Sequence, residues 1–187
     1  MNKTIYLAGG CFWGLEHLFS SLNGIKNTTV GYANGSNVKT IDYNTVKTGT
    51  TGFKETVKIE YDDSIIDLEF ILLAYFYVIH PEQKDRQAND IGSQYQTGIY
   101  YIDEVTKEIV DKIYEIEKTS YKEFYVEKEE LRNFIPAEEY HQNYLEKNPN
   151  GYCHISFNDM NIFKNITFNK SEYTKCSKDI IKEKSSQ

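Results

Sequence analysis

The sequence predicts an α+β fold of two layers, in which helices pack on a mostly antiparallel or mixed sheet and the C-terminal tail is irregular. Segments with the two-residue alternation of strands and segments with the helical period both occur, but they do not alternate strictly. The chain has 187 residues, of which 40% are hydrophobic, so one domain with a buried core is expected. Later in the chain Asn, Lys and Ser become frequent. We therefore expect a main domain at 1–157 and a loosely packed tail, wrapping or mobile, at 158–187.

The first predicted elements are separated by glycine-containing turns. A short strand is predicted at 3–7, and a Gly-Gly pair follows it. Four apolar residues then recur at a spacing that puts them on one face of a helix: Leu15, Leu18, Phe19 and Leu22. An Asn-Gly pair ends this helix, and a second strand is predicted at 27–33 before another Asn-Gly turn.

A third strand is predicted at 53–61, where polar and apolar residues alternate. Val57, Ile59 and Tyr61 share one face, and the opposite face carries charged residues and a threonine. Glu55 falls on the apolar face, near the start of the strand. A carboxylate held there loses hydration, which raises its pKa and keeps it protonated closer to neutral pH. The alternative is a strand-end glutamate that bends out to solvent.

Helices and shorter strands are predicted in the next part of the chain. A capping box at 64–67 opens a helix that runs to about residue 79. A polar loop over 82–96 then leads to a strand at 98–102. Apolar residues at helical spacing predict a further helix over 105–116, with Asp103 as its capping residue.

Two short elements complete the main domain. A strand is predicted at 122–127. A short helix is predicted over 136–145, with Pro136 in its first turn, where a proline costs no hydrogen bond. An Asn-Pro-Asn-Gly run then breaks that helix.

Charge, hydropathy and cysteine content exclude several classes of protein. The net charge of −7 and the lack of a basic stripe argue against a nucleic-acid partner. The longest apolar run, at 70–79, is about half the length that spans a bilayer, and no signal peptide is evident, so we expect a cytoplasmic protein without membrane contact. The three cysteines form no Cys-x-x-Cys pair, so no metal site is expected. Each is either an inert core residue or part of a redox relay.

Cys11 is the leading candidate for a reactive group. It follows a strand and a Gly-Gly turn and precedes a helix, whose N-terminal N–H groups favour a thiolate. Phe12 and Trp13 come directly after it and would form an aromatic wall beside the sulfur. The position alone fits equally well a small buried residue with two core aromatics behind it.

Several segments together resemble the A-type peptide methionine sulfoxide reductases. The likeness runs from about residue 4 to residue 153, and the segments stand in the family's order. They are Gly-Cys-Phe-Trp-Gly at 10–14, Gly-Tyr-Ala-Asn-Gly at 31–35, Thr-Gly-Thr-Thr-Gly-Phe-Lys-Glu at 48–55, Asn-Asp-Ile-Gly-Ser-Gln-Tyr at 89–95, Ala-Glu-Glu-Tyr-His-Gln at 137–142 and Asn-Pro-Asn-Gly-Tyr-Cys at 148–153. Ordered matches are far more specific than any single motif. The resemblance implies a ferredoxin-like α/β plait, in agreement with the two-layer prediction.

The resemblance also implies catalytic roles for matching residues. Cys11 is implied as the nucleophile, and Cys153 as the thiol that resolves its sulfenic acid. Glu55 is implied as the acid that binds and protonates the sulfoxide oxygen, because that oxygen leaves readily only once it is protonated. Tyr32 and Tyr95 are implied as hydroxyl donors to the same oxygen.

Further residues are implied in supporting and binding the substrate. Asp90 is expected to support the catalytic groups. Phe12 and Trp13 are implied as the wall that holds the substrate's S-methyl group, and Tyr152 completes the expected substrate-binding set. A methyl pocket and oxygen donors together fix three directions around the chiral sulfur, so one epimer fits.

The activity implied by the resemblance is reduction of the S epimer of methionine sulfoxide, free or within proteins, as antioxidant repair. Attack leaves a sulfenic acid on Cys11, which condenses with Cys153 to a disulfide. Thioredoxin, or dithiothreitol in vitro, would reduce that disulfide by exchange. No bound cofactor is expected, and a monomer is expected.

Cys176 and the histidines carry weaker expectations. Cys176 stands in a polar context, so we expect it to be exposed, either as a recycling thiol that takes electrons on from Cys153 or as a bystander. His141 is expected in a helix, more as a packing residue than as a polarising one. His154 adjoins Cys153 and could assist its ionisation.

Two rival functions remain open from the residues. The first is a thiol hydrolase or acyltransferase, in which a histidine activates Cys11. The second is a non-catalytic domain that binds a sulfoxide or a peptide through its aromatic residues. The hydrolase needs an imidazole in reach of Cys11, whereas the binding domain predicts that Cys11→Ser changes nothing.

Overall fold

The computed structural model describes residues 1–186, in which strands and helices follow one another in a mixed order. The strands are β1 (Asn2–Ala8), β2 (Ile25–Ala33), β3 (Lys54–Asp62), β4 (Arg86–Gln87), β5 (Asp90–Ile91), β6 (Gly98–Tyr101), β7 (Glu127–Glu130) and β8 (Phe134–Pro136). The α-helices are α1 (Phe12–Ser20), α2 (Tyr43–Val46), α3 (Leu68–Val78), α4 (Glu104–Lys118), α5 (Tyr144–Lys147), α6 (Phe157–Asn165) and α7 (Ser177–Lys184).

The main sheet has six strands in the order β7-β6-β1-β3-β2-β8. All neighbouring pairs are antiparallel except β6 and β7, which are parallel, so the predicted mixed sheet is confirmed. The four inner strands β6-β1-β3-β2, with α1 following β1 and α3 following β3, form the expected ferredoxin-like plait.

The helices α1 and α3 form the second layer, and their apolar residues lie on the surfaces that other elements cover. The four apolar residues predicted to share one face of the first helix are all buried: Leu15, Leu18, Phe19 and Leu22. Almost every side chain of α3 is apolar, because that helix is covered by α4 and α7 as well as by the sheet. The Tyr75 hydroxyl of α3 donates to the carbonyl oxygen of Ala8, 2.8 Å away, and ties the helix to the sheet.

The strand register brings the candidate site residues to one end of the sheet. β1 and β3 run in opposite directions, so the last residue of β1, Ala8, pairs with Thr56 near the start of β3. Tyr32, near the end of β2, pairs with Glu55. The chain leaves β1 at this end and reaches Cys11 after two glycines.

The helix predicted over 136–145 is wrong. Pro136 is the last residue of the edge strand β8, and the backbone continues through a 3-10 turn at Glu139–His141 into α5. The Gln142 side chain extends the edge pairing of β2: its Oε1 accepts from Val30 N, and its Nε2 donates to Val30 O, each at 2.9 Å. Asn143 then adopts a left-handed conformation with φ of 52°, which ends any continuous helix.

The strand predicted at 122–127 is displaced toward the C-terminus, since β7 begins at Glu127. The preceding segment is instead tied to loops, where Tyr125 N donates to Pro81 O at 2.8 Å and Tyr114 donates its hydroxyl proton to Val126 O at 2.9 Å. The ladder with β6 starts only where Glu127 N reaches Thr97 O.

The tail is helical rather than irregular, which corrects that part of the fold prediction. Its apolar residues are spaced so that α6 and α7 each bury one face. Phe163 of α6 packs against Phe70 and Tyr77 of α3, with ring centroids 6.1 and 5.4 Å apart. The boundary after residue 157 stays a prediction; α6 begins at that residue, and Gln187 lies outside the described residues.

A buried carboxyl anchors the tail to the main domain. Glu117, at the end of α4, has no exposed side-chain surface. Its Oε1 accepts from the Tyr173 hydroxyl at 2.7 Å and from Ser177 N at 2.6 Å. Loss of hydration raises the pKa of Glu117, and the two donors oppose that rise.

Among the helices of residues 1–186, none is long and apolar enough to cross a membrane.

Candidate active site

A turn of two glycines places Cys11 at the start of α1, and the second glycine has no room for a side chain. Gly10 has a φ of +83°, and a Cβ atom there would lie 2.7 Å from Cβ of Gln87. The glycine turn thus brings Cys11 against the 79–96 loop. Within that loop, the Gln87 side-chain amide forms hydrogen bonds with the backbone of His80. Cys11 is the residue that caps α1, and its side chain is almost fully buried.

The resting Cys11 thiol does not ionise more easily, contrary to the expectation from its helix-terminal position. Burial raises the pKa of Cys11 far above its ordinary value, and the nearby Glu55 and Asp90 raise it further. A backbone hydrogen bond from Trp13 acts in the opposite direction but is outweighed. Desolvation therefore dominates over the helix terminus here. The proton must leave Cys11 when a substrate has entered.

Glu55 is buried beside Cys11, as the strand alternation predicted. Its side chain is 2% exposed, and its Oε2 accepts from Phe12 N at 3.1 Å. Loss of hydration raises the pKa of Glu55 to about 8, and Asp90 adds to the rise, while the Phe12 N–H lowers it. Glu55 is therefore mostly a neutral carboxylic acid at pH 7, hydrogen-bonded to Phe12, the residue after Cys11.

Phe12 and Trp13 form an aromatic wall after Cys11, supported by His141 and by Tyr144, which the prediction did not name; that the wall holds the substrate's S-methyl group stays a prediction. The Trp13 ring stacks on Tyr144, with centroids 3.8 Å apart and an interplanar angle of 12°. Its Nε1 donates to Nδ1 of His141 at 3.1 Å. Phe12 is fully buried and packs 5.2 Å from the His141 ring. These contacts leave the Trp13 indole little rotational freedom.

His141 is a neutral packing residue, as expected, although it lies in a 3-10 turn rather than a helix. Burial lowers its pKa. Since Nδ1 accepts from Trp13, the proton of the neutral ring is on Nε2. His141 thus fixes the orientation of the indole.

Tyr32 reaches the site, but its hydroxyl has a defined partner. It donates to Oε1 of Glu138 at 2.9 Å. Oε2 of Glu138 accepts from Tyr43 N at 3.1 Å and from the Tyr140 hydroxyl at 2.9 Å. Glu138 therefore joins three tyrosines. The role of Tyr32 as a donor to the substrate oxygen stays a prediction.

Tyr43 is the site residue that the sequence reasoning missed. It begins α2 after Asp42, whose carboxylate accepts from Thr45 N at 2.8 Å. Burial raises the pKa of the Tyr43 and Tyr95 phenols, and the nearby Glu55 and Cys11 raise both further; the two hydroxyls also interact. The available signal was the N-cap at Asp42, which places a tyrosine at the first position of a short helix. No apolar periodicity marks this segment.

Glu138 should control how well Tyr43 is placed. A glutamine at this position keeps one acceptor oxygen and turns the other into an NH2 donor, so its two side-chain atoms can no longer both accept, from the Tyr32 hydroxyl and from Tyr43 N. We expect Glu138→Gln to lower kcat/KM by about 10-fold, since small misplacements of site groups are costly. The measurement is steady-state turnover of methionine sulfoxide. Tyr140→Phe, which removes only one of the three donors to Glu138, is the control and should stay within about 2-fold of wild type. Equal losses in both variants would contradict this role for Glu138.

Asp90, the first residue of β5, and Tyr152, between α5 and α6, meet over the site. The Tyr152 hydroxyl donates to Oδ2 of Asp90 at 3.0 Å. Asp90 raises the pKa of Cys11 and of Glu55, which puts it near both groups. Tyr152 is exposed at the rim. The supporting role of Asp90 and the binding role of Tyr152 stay predictions.

Cys153 lies against the first turn of α1. A Cβ atom built on Gly14 would be 3.0 Å from Sγ of Cys153, so only glycine lets the thiol come this close. The half-buried thiol donates to Ile155 O at 3.2 Å, and burial raises its pKa. All three cysteines are free thiols in this structure.

Cys176 does not share the surroundings of the other two thiols. It is buried rather than exposed, at the N-cap position of α7. Its Sγ donates to Oδ2 of Asp179 at 3.2 Å. Cys153 raises the pKa of Cys11, whereas Cys176 raises those of Tyr121, after α4, and Tyr173, in the tail. A recycling role for Cys176 stays a prediction.

The sequence of this chain is similar to those of known proteins. Residues 3–172 match the family model described as peptide methionine sulfoxide reductase. The chain is 51% identical over 156 residues to the peptide methionine sulfoxide reductase MsrA of Lachnoclostridium phytofermentans, covering 83% of this chain and 93% of that protein. The protein of the same name from Mycoplasma genitalium is 47% identical over 156 residues, which cover 83% of this chain and 99% of that protein.

Solved structures show the same likeness. Reduced Mxr1 from Saccharomyces cerevisiae superposes with a TM-score of 0.79 at 34% identity, covering 83% of this chain and 91% of that chain. Mxr1 in complex with Trx2 superposes with a TM-score of 0.51 at 25% identity, covering 76% and 84%.

Proposed function

The chain belongs to the peptide methionine sulfoxide reductase family, and from this premise we propose how its residues reduce methionine sulfoxide. Its activity is the reduction of the S epimer of methionine sulfoxide, free or in proteins, to methionine. The observation that carries the proposed chemistry is the neutral carboxyl of Glu55 buried beside Cys11. A thiol and a proton donor at one buried point are what oxygen transfer from a sulfoxide requires.

In the proposed first step, the Cys11 sulfur attacks the substrate sulfur while Glu55 protonates the sulfoxide oxygen. The oxygen passes to Cys11, methionine leaves, and the thiol proton of Cys11 returns to Glu55. The Cys11 sulfur is oxidised to a sulfenic acid and the substrate sulfur is reduced by two electrons. While Glu55 carries its proton it has no negative charge, so it does not raise the pKa of Cys11.

We assign oxygen binding to the phenols of Tyr43 and Tyr95, whose hydroxyls interact and whose pKa values Glu55 and Cys11 both raise. Buried phenols stay protonated and can donate to a developing oxyanion. Tyr32 supports them through Glu138. The wall of Phe12 and Trp13 receives the substrate's S-methyl group.

The second step joins Cys11 and Cys153 in a disulfide with loss of water. Cys153 is supported as the partner because Gly14 admits its sulfur against the first turn of the helix that Cys11 caps. We propose thioredoxin as the reductant, supported by the likeness to Mxr1, which was solved with Trx2. No hydrogen bond in residues 1–186 joins Cys11 to a histidine, so the contact that the hydrolase alternative needs is not formed.

The test of this function is methionine formation from separated epimers with dithiothreitol as reductant. We expect turnover of the S epimer and at least about 10²-fold less of the R epimer, a ratio that a hydrogen-bonded, shaped pocket can supply. Equal rates on both epimers would contradict the assignment of the methyl wall and the oxygen donors.

Cys153→Ser separates the two half-reactions. The first step does not use Cys153, so the variant should form one equivalent of methionine per chain at the wild-type rate and then stop when thioredoxin is the reductant. Rapid-quench measurement of methionine follows the first half-reaction, and a steady-state assay with thioredoxin follows recycling. Cys176→Ser is the matched control. If it also stops after one equivalent, Cys176 and not only Cys153 takes part in recycling.

A cytoplasmic, monomeric protein without a bound cofactor stays our expectation.

A further inference from the structure

We propose that His154 is the base that takes the proton from Cys153 when that thiol attacks the sulfenic acid on Cys11. This inference rests on the proposed function and concerns only its second half. The first half-reaction, which makes methionine, does not involve His154.

The hydrogen bonding of His154 fixes its tautomer. Its Nε2 lies 3.1 Å from the carbonyl oxygen of Gly9. A carbonyl can only accept, so Nε2 carries the proton. In a neutral ring Nδ1 is then an unprotonated acceptor. Burial lowers the pKa of His154, which keeps the ring neutral at pH 7.

The acceptor atom of His154 is buried and has no hydrogen-bond partner within residues 1–186. A buried imidazole nitrogen without a donor is costly, so its presence calls for an explanation, and a catalytic role is one. The groups that face this ring are Asp90 and His80, of which Asp90 raises and His80 lowers its pKa. Neither donates to Nδ1.

The free nitrogen and the resolving thiol border the same small space above Gly14. A Cβ atom built on Gly14 would be 3.0 Å from Sγ of Cys153 and 3.4 Å from Nδ1 of His154. Gly14 lies three residues after Cys11, so this space adjoins the sulfenic acid. Sγ currently donates to Ile155 O at 3.2 Å. The proposed step requires a rotation about the Cys153 side chain that turns its S–H from this carbonyl toward the imidazole.

The step balances with groups already in the site. The S–H bond of Cys153 and the S–O bond of Cys11 break, and the S–S bond forms. The proton of Cys153 goes to Nδ1 of His154, and the departing hydroxide takes a proton from Glu55 and leaves as water. The Cys153 sulfur is oxidised and the Cys11 sulfur is reduced. Because burial raises the pKa of Cys153, few of these thiols ionise unaided at pH 7.

The experiment is a single turnover without reductant, in which methionine is measured by rapid quench and disulfide by loss of alkylatable thiols. His154→Gln can keep a donor to Gly9 O but has no basic atom. We expect it to make methionine at the wild-type rate and to slow disulfide formation by about 10²-fold, the usual contribution of a general base. His17→Gln, on α1, is the matched control and should change neither rate.

The pH profile distinguishes a base from a packing residue. Disulfide formation in wild type should level off above the lowered pKa of His154, whereas in His154→Gln it should rise about tenfold per pH unit with the thiolate fraction of Cys153. In His154→Gly, added imidazole should restore the rate. Disulfide formation at the wild-type rate in His154→Gln, or parallel pH profiles, overturns the proposal. A chain that makes no methionine at all contradicts the proposed function instead.

Discussion

Cys11→Ser should abolish methionine formation and leave the fold intact. The two electrons that reduce the substrate come from the Cys11 sulfur, and a serine oxygen cannot be oxidised in its place. We expect a loss on the order of 10⁶-fold, the size seen when other enzymes lose their nucleophile. Steady-state assay with dithiothreitol measures it, and the fluorescence of Trp13, the only tryptophan in the sequence, checks that the neighbouring wall is unchanged.

The appropriate control for this substitution is Cys176→Ser, which also replaces a buried free thiol. It should retain wild-type methionine formation with dithiothreitol. Residual turnover by Cys11→Ser above about 1% of wild type would falsify the assignment of the nucleophile. Binding of the sulfoxide without any loss of function in Cys11→Ser is what the binding-domain alternative predicts.

Glu55→Gln should give the second largest loss, about 10³-fold in the methionine-forming step, since the amide cannot release a proton to the oxygen. Glutamine is nearly the same size and its oxygen can still accept from Phe12 N, so the change isolates the proton. The rate of methionine formation in a single turnover is the measurement. A loss of less than 10-fold would mean that protonation comes from another group.

The pH dependence of wild type gives an independent test of the same acid. Burial raises the pKa of Glu55 to about 8, so the protonated form predominates at pH 7. In the proposed step the Cys11 proton moves to Glu55 within the site, so pH acts through the Glu55 proton. The methionine-forming rate should therefore hold steady up to about pH 8 and fall about tenfold per unit beyond it. Glu55→Gln should lack the fall at high pH.

The sequence patterns predicted the core of the fold because periodicity reports burial directly. The alternation at 53–61 placed Glu55 on the buried face, and the helical spacing of Leu15, Leu18 and Phe19 predicted α1. The helix predicted over 136–145 was wrong because Gln142 bonds the edge of β2, a contact between residues 112 positions apart. No local pattern encodes such a partner.

The candidate site was predictable only in part, for a related reason. The ordered motifs identified Cys11, Glu55 and Cys153, but Tyr43 stands between motifs and reaches the site through Glu138. The expected easy ionisation of Cys11 was wrong because the helix terminus is a local feature, whereas desolvation depends on everything that packs around the thiol. The helical tail was missed because its buried residues are widely spaced among polar ones.

The burial of Glu55 has a consequence for folding stability. Its pKa is about 8 in the folded chain against an ordinary value of 4.5, so the folded state holds a proton that the unfolded chain releases between these two values. The free energy of unfolding therefore decreases as pH rises from about 4.5 to about 8, by about 1.4 kcal/mol for each unit of the shift, as a ceiling. Thermal melts of wild type and Glu55→Gln should coincide near pH 4.5 and separate toward pH 8, with the variant melting higher; identical curves would contradict this account. The acid that repairs oxidised proteins thus leaves its own chain easier to unfold in alkaline conditions.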